Sequence, residues 1–245
     1  MTSPLDPRLL LRGYASGIFP MADSRDADEV FWVEPRTRAI LPLHEFRCSR
    51  TLARTIRRER FIVTRDLAFQ DVLNGCAERD ETWINADIER ATLGLHAAGH
   101  AHSIECWREG HLVGGLYGVR LGRAFFGESM FSRESDASKV ALAWLVARLR
   151  VGRFALLDCQ FMTDHLASLG AVTLPRKRYV ALLSAALGAS GAEGVSAPLE
   201  FAGVDVAALD PPDFGLLEAL VESRADGGAP GAVGQLIMQL LGQTS

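Results

Sequence analysis

The stretch HSIECWREGHLVGGLYGVRLGRAFFGESM, His102 to Met130, decides the fold. Within it His102–Trp107, Leu112–Val119 and Arg123–Met130 are strand-like runs, joined by Arg108-Glu109-Gly110-His111 and by Leu121-Gly122. Such runs with glycine-marked breaks predict a three-strand meander. Downstream, Asp136–Leu149 reads as a helix, Ala155–Gln160 as a strand, Asp164–Leu169 as a short helix closed by Gly170, Val172–Leu174 as a strand and Lys177–Leu187 as a final helix. A meander followed by helix, strand, helix and strand specifies an α+β core with a crossover. The segments carrying Glu128 and Asp158 are then expected side by side in one sheet.

Upstream, Ala39-Ile40-Leu41 reads as a brief strand, Ser49–Arg60 as an amphipathic helix, Phe61–Thr64 as a strand and Phe69–Ala77 as a helix. Asp87–Ala98 is a further helix, with Asn85 as its cap and Gly99 as its stop. Residues 1–36 hold a helix candidate, Pro7–Ser16, and aromatic stretches at Phe19 and Phe31-Trp32, a small layer that needs something to pack against. Residues 188–245 are rich in Gly and Ala, break at Pro211-Pro212, and carry two weaker helix candidates, Phe214–Ser223 and Val233–Leu241. Three parts are expected: a small N-terminal segment over 1–36, the main domain over 37–187, and a loosely attached acidic extension over 188–245.

The chain is 48% hydrophobic and 23% charged, the composition of an ordinary globular protein. No apolar run approaches the roughly 20 residues of a membrane-spanning helix, and Met1–Pro7 lacks the basic and apolar regions of a signal peptide. A cytoplasmic protein without a membrane partner is expected. Cys48, Cys76, Cys106 and Cys159 form no C-x-x-C pair, so neither a zinc site nor a disulfide framework is signalled. His96, His100 and His102 cluster, but the helix stop at Gly99 separates the first from the others, so no metal is expected there.

The formal net charge of −4 divides unevenly: from Leu183 onward eight acidic residues face one basic residue, while Met1–Leu182 carries 25 basic against 22 acidic residues. The body is mildly basic and compatible with an anionic partner. Arg47, Arg50, Arg54, Arg57 and Arg58 recur at helical spacing while Leu52 and Ile56 face elsewhere. Such a stripe either follows a phosphate backbone or is a solvated helix face.

In Asp158-Cys159-Gln160 the strand period of two puts Asp158 and Gln160 on one face and turns Cys159 to the other. Glu128 follows Gly127, where a glycine lets another backbone or a substrate come close. Polar groups in such apolar surroundings mark either a site or the satisfaction of buried backbone groups. A Cys159–His165 thiol-imidazole pair is disfavoured by the same alternation, and Ser129 and Ser132 lack the G-x-S-x-G turn of a hydrolase.

These residues stand in an ordered series: Gly17-Ile18-Phe19-Pro20, Trp83-Ile84, Gly99-His100-Ala101-His102-Ser103-Ile104-Glu105, Gly127-Glu128-Ser129-Met130-Phe131-Ser132, Asp158-Cys159-Gln160, Asp164-His165 and Ala167-Ser168-Leu169-Gly170. From about Leu9 to Tyr179 the series resembles the leucyl/phenylalanyl-tRNA-protein transferases. The resemblance implies an acetyltransferase-like (GNAT-related) mixed sheet flanked by helices, and an enzyme with no cofactor or metal. It implies transfer of Leu, Phe or, less readily, Met from aminoacyl-tRNA to proteins beginning with Arg or Lys, marking them for N-end rule degradation. A monomer is expected. Carried over by motif, Asp158 and Gln160 are catalytic, and Glu128 belongs to the aminoacyl or acceptor region. Leu116, Phe125, Leu145 and Leu157 line the donor pocket, although all four suit an ordinary core equally well. Trp83 stacks on the terminal adenosine, and the five arginines are the candidate tRNA contacts.

Three departures accompany the resemblance: most of the family's N-terminal segment before Leu9 is expected to be lacking, Met21 stands where Trp is usual, and Thr163 replaces Asn. The stretch after Leu187 has no counterpart among the motifs. A coenzyme A-dependent acetyltransferase would need a glycine-rich pyrophosphate loop, and Ser129–Asp136 contains no glycine. A non-catalytic tRNA-binding module would keep the arginine stripe without needing Asp158 and Gln160.

Overall fold

The computed structural model describes residues 5–78, 82–188, 211–225 and 230–242. Helix α1 (Pro7–Ala15) starts at a proline, and the Asp6 carboxylate accepts from the Arg8 amide. Strands β1 (Phe19–Met21) and β2 (Phe31–Val33) form a small antiparallel ribbon out of the two aromatic stretches. Then come β3 (Thr37–Ile40), α2 (Arg50–Arg57), β4 (Ile62–Arg65), α3 (Phe69–Ala77) and α4 (Ala86–Ala97). The meander is β5 (Ala101–Arg108), β6 (His111–Leu121) and β7 (Ala124–Ser132). It is followed by α5 (Ala137–Val151), β8 (Leu156–Gln160), α6 (Asp164–Ser168), β9 (Val172–Pro175) and α7 (Arg176–Ala186), and last by α8 (Leu216–Ala225) and α9 (Ala232–Leu240). The caps act as the side chains dictate: Ser49 accepts from the Leu52 amide at 3.2 Å and Asn85 from the Ile88 amide at 3.0 Å.

Seven strands form one mixed sheet in the order β4-β5-β6-β7-β8-β3-β9. Every neighbouring pair is antiparallel except β7 and β8, which the crossover through α5 makes parallel. Helices cover both faces. Leu52, Leu145, Leu217 and Ile237 bring α2, α5, α8 and α9 onto one, while Leu10, Val72, Leu95 and Leu183 bring α1, α3, α4 and α7 onto the other.

Three strands carry an extra residue. On β6 it is Val113, since Cys106 faces Gly114 and Trp107 faces Leu112; the other two lie nearer the end of the β7–β8 pairing. Tyr117 faces Ser129 and Gly118 faces Gly127, so Glu128 is left over on β7; Ala39 faces Gln160 and Ile40 faces Asp158, so Cys159 is left over on β8. A bulge reverses the alternation beyond it. Phe126 and Phe131, an odd number of residues apart, therefore enter the same core, as Phe125 and Met130 enter the other. Pairing between β7 and β8 runs only from Ala124 to Phe126 against Leu156 to Asp158, after which the two strands part.

The described part of residues 188–245 corrects the expectation of loose attachment. Phe214, Leu217, Ile237, Met238 and Leu241 belong to the core under α2 and α5. Gly234 lets α9 lie against α2, since a Cβ there would come within 2.3 Å of the Ile56 carbonyl oxygen. Arg148, 3% exposed, donates at 2.6 Å to both the Phe214 carbonyl and the Glu218 carboxylate. These apolar positions acquire meaning only from partners far away in the chain, which is why composition misjudged them. The rest of that stretch, 189–210, 226–229 and 243–245, lies outside the described residues. Among the described residues no helix is long and apolar enough to cross a membrane.

Candidate active site

Where β7 and β8 part, a cavity of about 680 Å³ opens. Leu116, Leu142, Leu145, Leu157 and Leu166 give it an apolar wall, Glu128, Gln160, Ser138, Thr163 and His165 supply polar groups, and Trp83, Phe161, Glu78 and Arg133 also line it. Of the four residues expected in the donor pocket, Leu116, Leu145 and Leu157 line this cavity and Phe125 does not. Phe125 sits in the paired part of β7, fully buried, where the Phe214 ring stacks on it at 5.4 Å.

Glu128 and Gln160 meet directly: the Gln160 side-chain amide donates to Glu128 Oε1 at 2.9 Å. Alternation alone does not create this contact. Glu128 is the bulge residue of β7, and Gln160 leaves the extended conformation with a φ of 60°, turning off the end of β8. The same irregularity places Cys159 against the cavity, contrary to the expectation that it turns away. Burial pushes its thiol pKa up, the wrong direction for a nucleophile.

Asp158 does not line the cavity. It is fully buried, and Arg38, itself 1% exposed, donates to it from Nε at 2.9 Å and from Nη2 at 2.6 Å. The Tyr179 hydroxyl donates to the second oxygen at 2.8 Å and the Gln160 backbone amide to the first at 2.8 Å. Asp158 thus acts on Gln160 through the backbone, by fixing the turn that presents the side chain. The Arg38 guanidinium lies over the Phe19 and Tyr179 rings, 4.4 and 5.0 Å from their centroids. Tyr14, from α1, hydrogen-bonds Glu128. Burial raises the Glu128 pKa to about 7, the Asp158 charge adds to the rise, and hydrogen bonds from Tyr14 and Gln160 together with the Arg38 charge hold it back.

Arg38, Tyr14 and Tyr179 escaped the sequence reasoning. The only local signal was a lone arginine beside the apolar run Ala39-Ile40-Leu41. The five arginines of the stripe are all exposed, line no part of the cavity, and make no ion pair among the described residues. Thr163 does the work of a cap, accepting from the Leu166 amide at 3.2 Å, so its replacement of Asn keeps the local geometry. His102 is tied to Asp66 at 2.8 Å, and no group of three potential metal ligands occurs among the described residues.

An apolar chamber beside a carboxylate and an amide, at the mouth of two parted strands, has room for an apolar group with hydrogen-bonding groups next to it. Residues 40–184 match the sequence model of the leucyl/phenylalanyl-tRNA protein transferases, and residues 3–36 match that family's N-terminal domain. A leucyl/phenylalanyl-tRNA–protein transferase of Rhizorhabdus wittichii is 60% identical over 246 residues, covering 98% of this chain and 99% of its own. Relatives of the same name from Novosphingobium aromaticivorans and Zymomonas mobilis are 53% and 61% identical, covering 98% and 76% of this chain and 97% and 71% of their own. The chain belongs to the leucyl/phenylalanyl-tRNA protein transferase family. The match to the R. wittichii protein extends into the stretch after Leu187 that the motifs left without a counterpart.

Proposed function

We propose that this protein transfers leucyl, phenylalanyl and, less readily, methionyl groups from aminoacyl-tRNA to the N-terminal amine of proteins beginning with Arg or Lys, marking them for degradation by the N-end rule. It works in the cytoplasm as a monomer, on an acetyltransferase-like domain spanning residues 37–187. The observation that carries this reading is the joining of an apolar chamber and the Glu128–Gln160 pair in one cavity. The parallel strands parting beside the crossover helix α5 support the acetyltransferase-like assignment.

The ester of an aminoacyl-tRNA is already activated, so the enzyme chiefly aligns the amine and keeps water out. Leu116, Leu142, Leu145 and Leu157 receive the donor side chain; a polar side chain would lose its hydration there without replacement. Gln160, held by Asp158 through its backbone amide, orients the groups around the reacting carbon. Trp83 stacks on the terminal adenine, which contributes about 1–3 kcal/mol, and the stripe of Arg47, Arg50, Arg54, Arg57 and Arg58 follows the phosphates.

The test is incubation of the purified protein with labelled leucyl-tRNA and a peptide starting with Arg. The expected product is the peptide extended by one leucine. Labelled tRNA left intact, with no extended peptide, overturns the assignment.

A further inference from the structure

We propose that Glu128 takes the proton from the incoming amine and that Tyr14, from the N-terminal segment, is the residue that positions it. This deepens the aminoacyl-transfer reading and rests on it. The acceptor arrives largely as an ammonium ion, since an α-amino group titrates at about 7.7–8.0. It has no lone pair to attack with until a proton is removed.

The cavity offers few groups able to take that proton. Gln160 is a neutral amide whose NH₂ group already donates to Glu128. Asp158 lies outside the cavity, its oxygens occupied by Arg38, Tyr179 and the Gln160 amide. Glu78 is 62% exposed and paired with Arg133 at 2.6 Å. His165 lines the cavity, but its buried Nε2 has no hydrogen-bond partner among the described residues to orient it, and burial together with Lys139 lowers its basicity. Glu128 is placed by the β7 bulge, braced by Tyr14 on one side and Gln160 on the other, and faced by Arg38 from β3 and Asp158 from β8. Its pKa of about 7 lies close enough to that of an α-amine for transfer in either direction.

The Glu128 carboxylate removes one proton from the ammonium group, and the freed nitrogen attacks the ester carbonyl carbon. The C–N bond forms, the C–O bond to the ribose breaks, and the second amine proton leaves with the ribose oxygen. Glu128 then returns its proton to water, so one proton is released per transfer. Tyr14 stands on α1, buried, with its ring 4.9 Å from that of Phe126. In this reading the N-terminal layer exists partly to deliver its hydroxyl to the bulge.

The experiment measures kcat/KM against pH for transfer from leucyl-tRNA to an Arg-starting peptide, with melting curves to show that each variant is folded. Glu128→Gln, nearly isosteric, is expected to lose at least about a hundredfold in rate. In Tyr14→Phe the lost hydrogen bond raises the Glu128 pKa further, so the acidic limb moves to higher pH. Transfer then falls severalfold below neutrality and recovers in mild alkali. A limb belonging only to the peptide amine would not move with Tyr14→Phe, and that result, or a wild-type rate in Glu128→Gln, overturns the proposal. A limb that moves in His165→Gln while Glu128→Gln retains its own gives the role to His165. Wild-type protein inactive at every pH would instead overturn the aminoacyl-transfer reading itself.

Discussion

Replacing Phe214 by Ala tests whether the C-terminal helices are part of the body of the enzyme. The Phe214 ring, 3% exposed, is stacked on Phe125 at 5.4 Å and on His102 at 4.3 Å, and meets Phe154 edge-on at 5.9 Å. The Arg148 guanidinium lies 5.0 Å from its centroid. Truncating a ring so enclosed removes its burial and leaves a cavity, costing about 3–5 kcal/mol. In a chain of this size each kcal/mol lowers Tm by about 2–4 °C, so the variant should melt about 6–20 °C below wild type. Scanning calorimetry at one pH and salt concentration measures it, with Phe214→Leu as a control that retains most of the volume. A fall of less than about 2 °C in the alanine variant would mean that α8 is not held by this ring, and the description of a single core shared with the tail would be wrong.

Other outcomes follow from the same geometry. Asp158→Asn leaves the Arg38 guanidinium buried without its counter-charge, which should cost about 3–5 kcal/mol of stability and lower transfer at least about tenfold; a stable, fully active variant refutes the orienting role of Asp158. Changing Arg50, Arg54 and Arg57 together to Ala should make the slope of log K for tRNA against log salt shallower by about two, and an unchanged slope would make the stripe a solvated face. Glu128 has a folded pKa of about 7, above the unfolded carboxylate value. Its contribution to stability is therefore complete below the unfolded value and lost as pH rises through about 7. Glu128→Gln should accordingly melt higher than wild type above neutrality and lose that advantage as the pH falls, and melts across the range check the sign.

Much of the architecture was legible because it is local. Alternation and glycine breaks mark β5, β6 and β7; Ser49 and Asn85 mark helix starts; and the crossover follows from the order of elements. That the segments carrying Glu128 and Gln160 are neighbours followed from the order of the elements, but the contact itself depends on a bulge and a turn. What stayed hidden depends on the register between strands or on long-range pairing. No periodicity announces that Glu128 and Cys159 are extra residues, because a bulge is defined by the facing strand. Alternation therefore put Cys159 on the wrong side of the site. Arg38 and Tyr14 contact Asp158 and Glu128 only after the sheet has closed, and the apolar residues of α8 and α9 gain their meaning from α2 and α5.

The insertion of β3 between β8 and β9 has a consequence for how the enzyme is made. Arg38 and Asp158 are 120 residues apart, and β3 has no strand to pair with until β8 has been synthesised, nor both of its neighbours until β9 follows. The meander from β5 to β7 closes through short turns and can form early, whereas the contacts of β3 must first bring distant parts of the chain together. The growing chain thus carries an arginine destined for burial long before its counter-charge exists. The group that orders Gln160 is completed only when a strand from the beginning of the chain is captured by strands from its later half. A chain that ends before β8, even one with its meander folded, has neither the counter-charge of Arg38 nor the partner of Glu128.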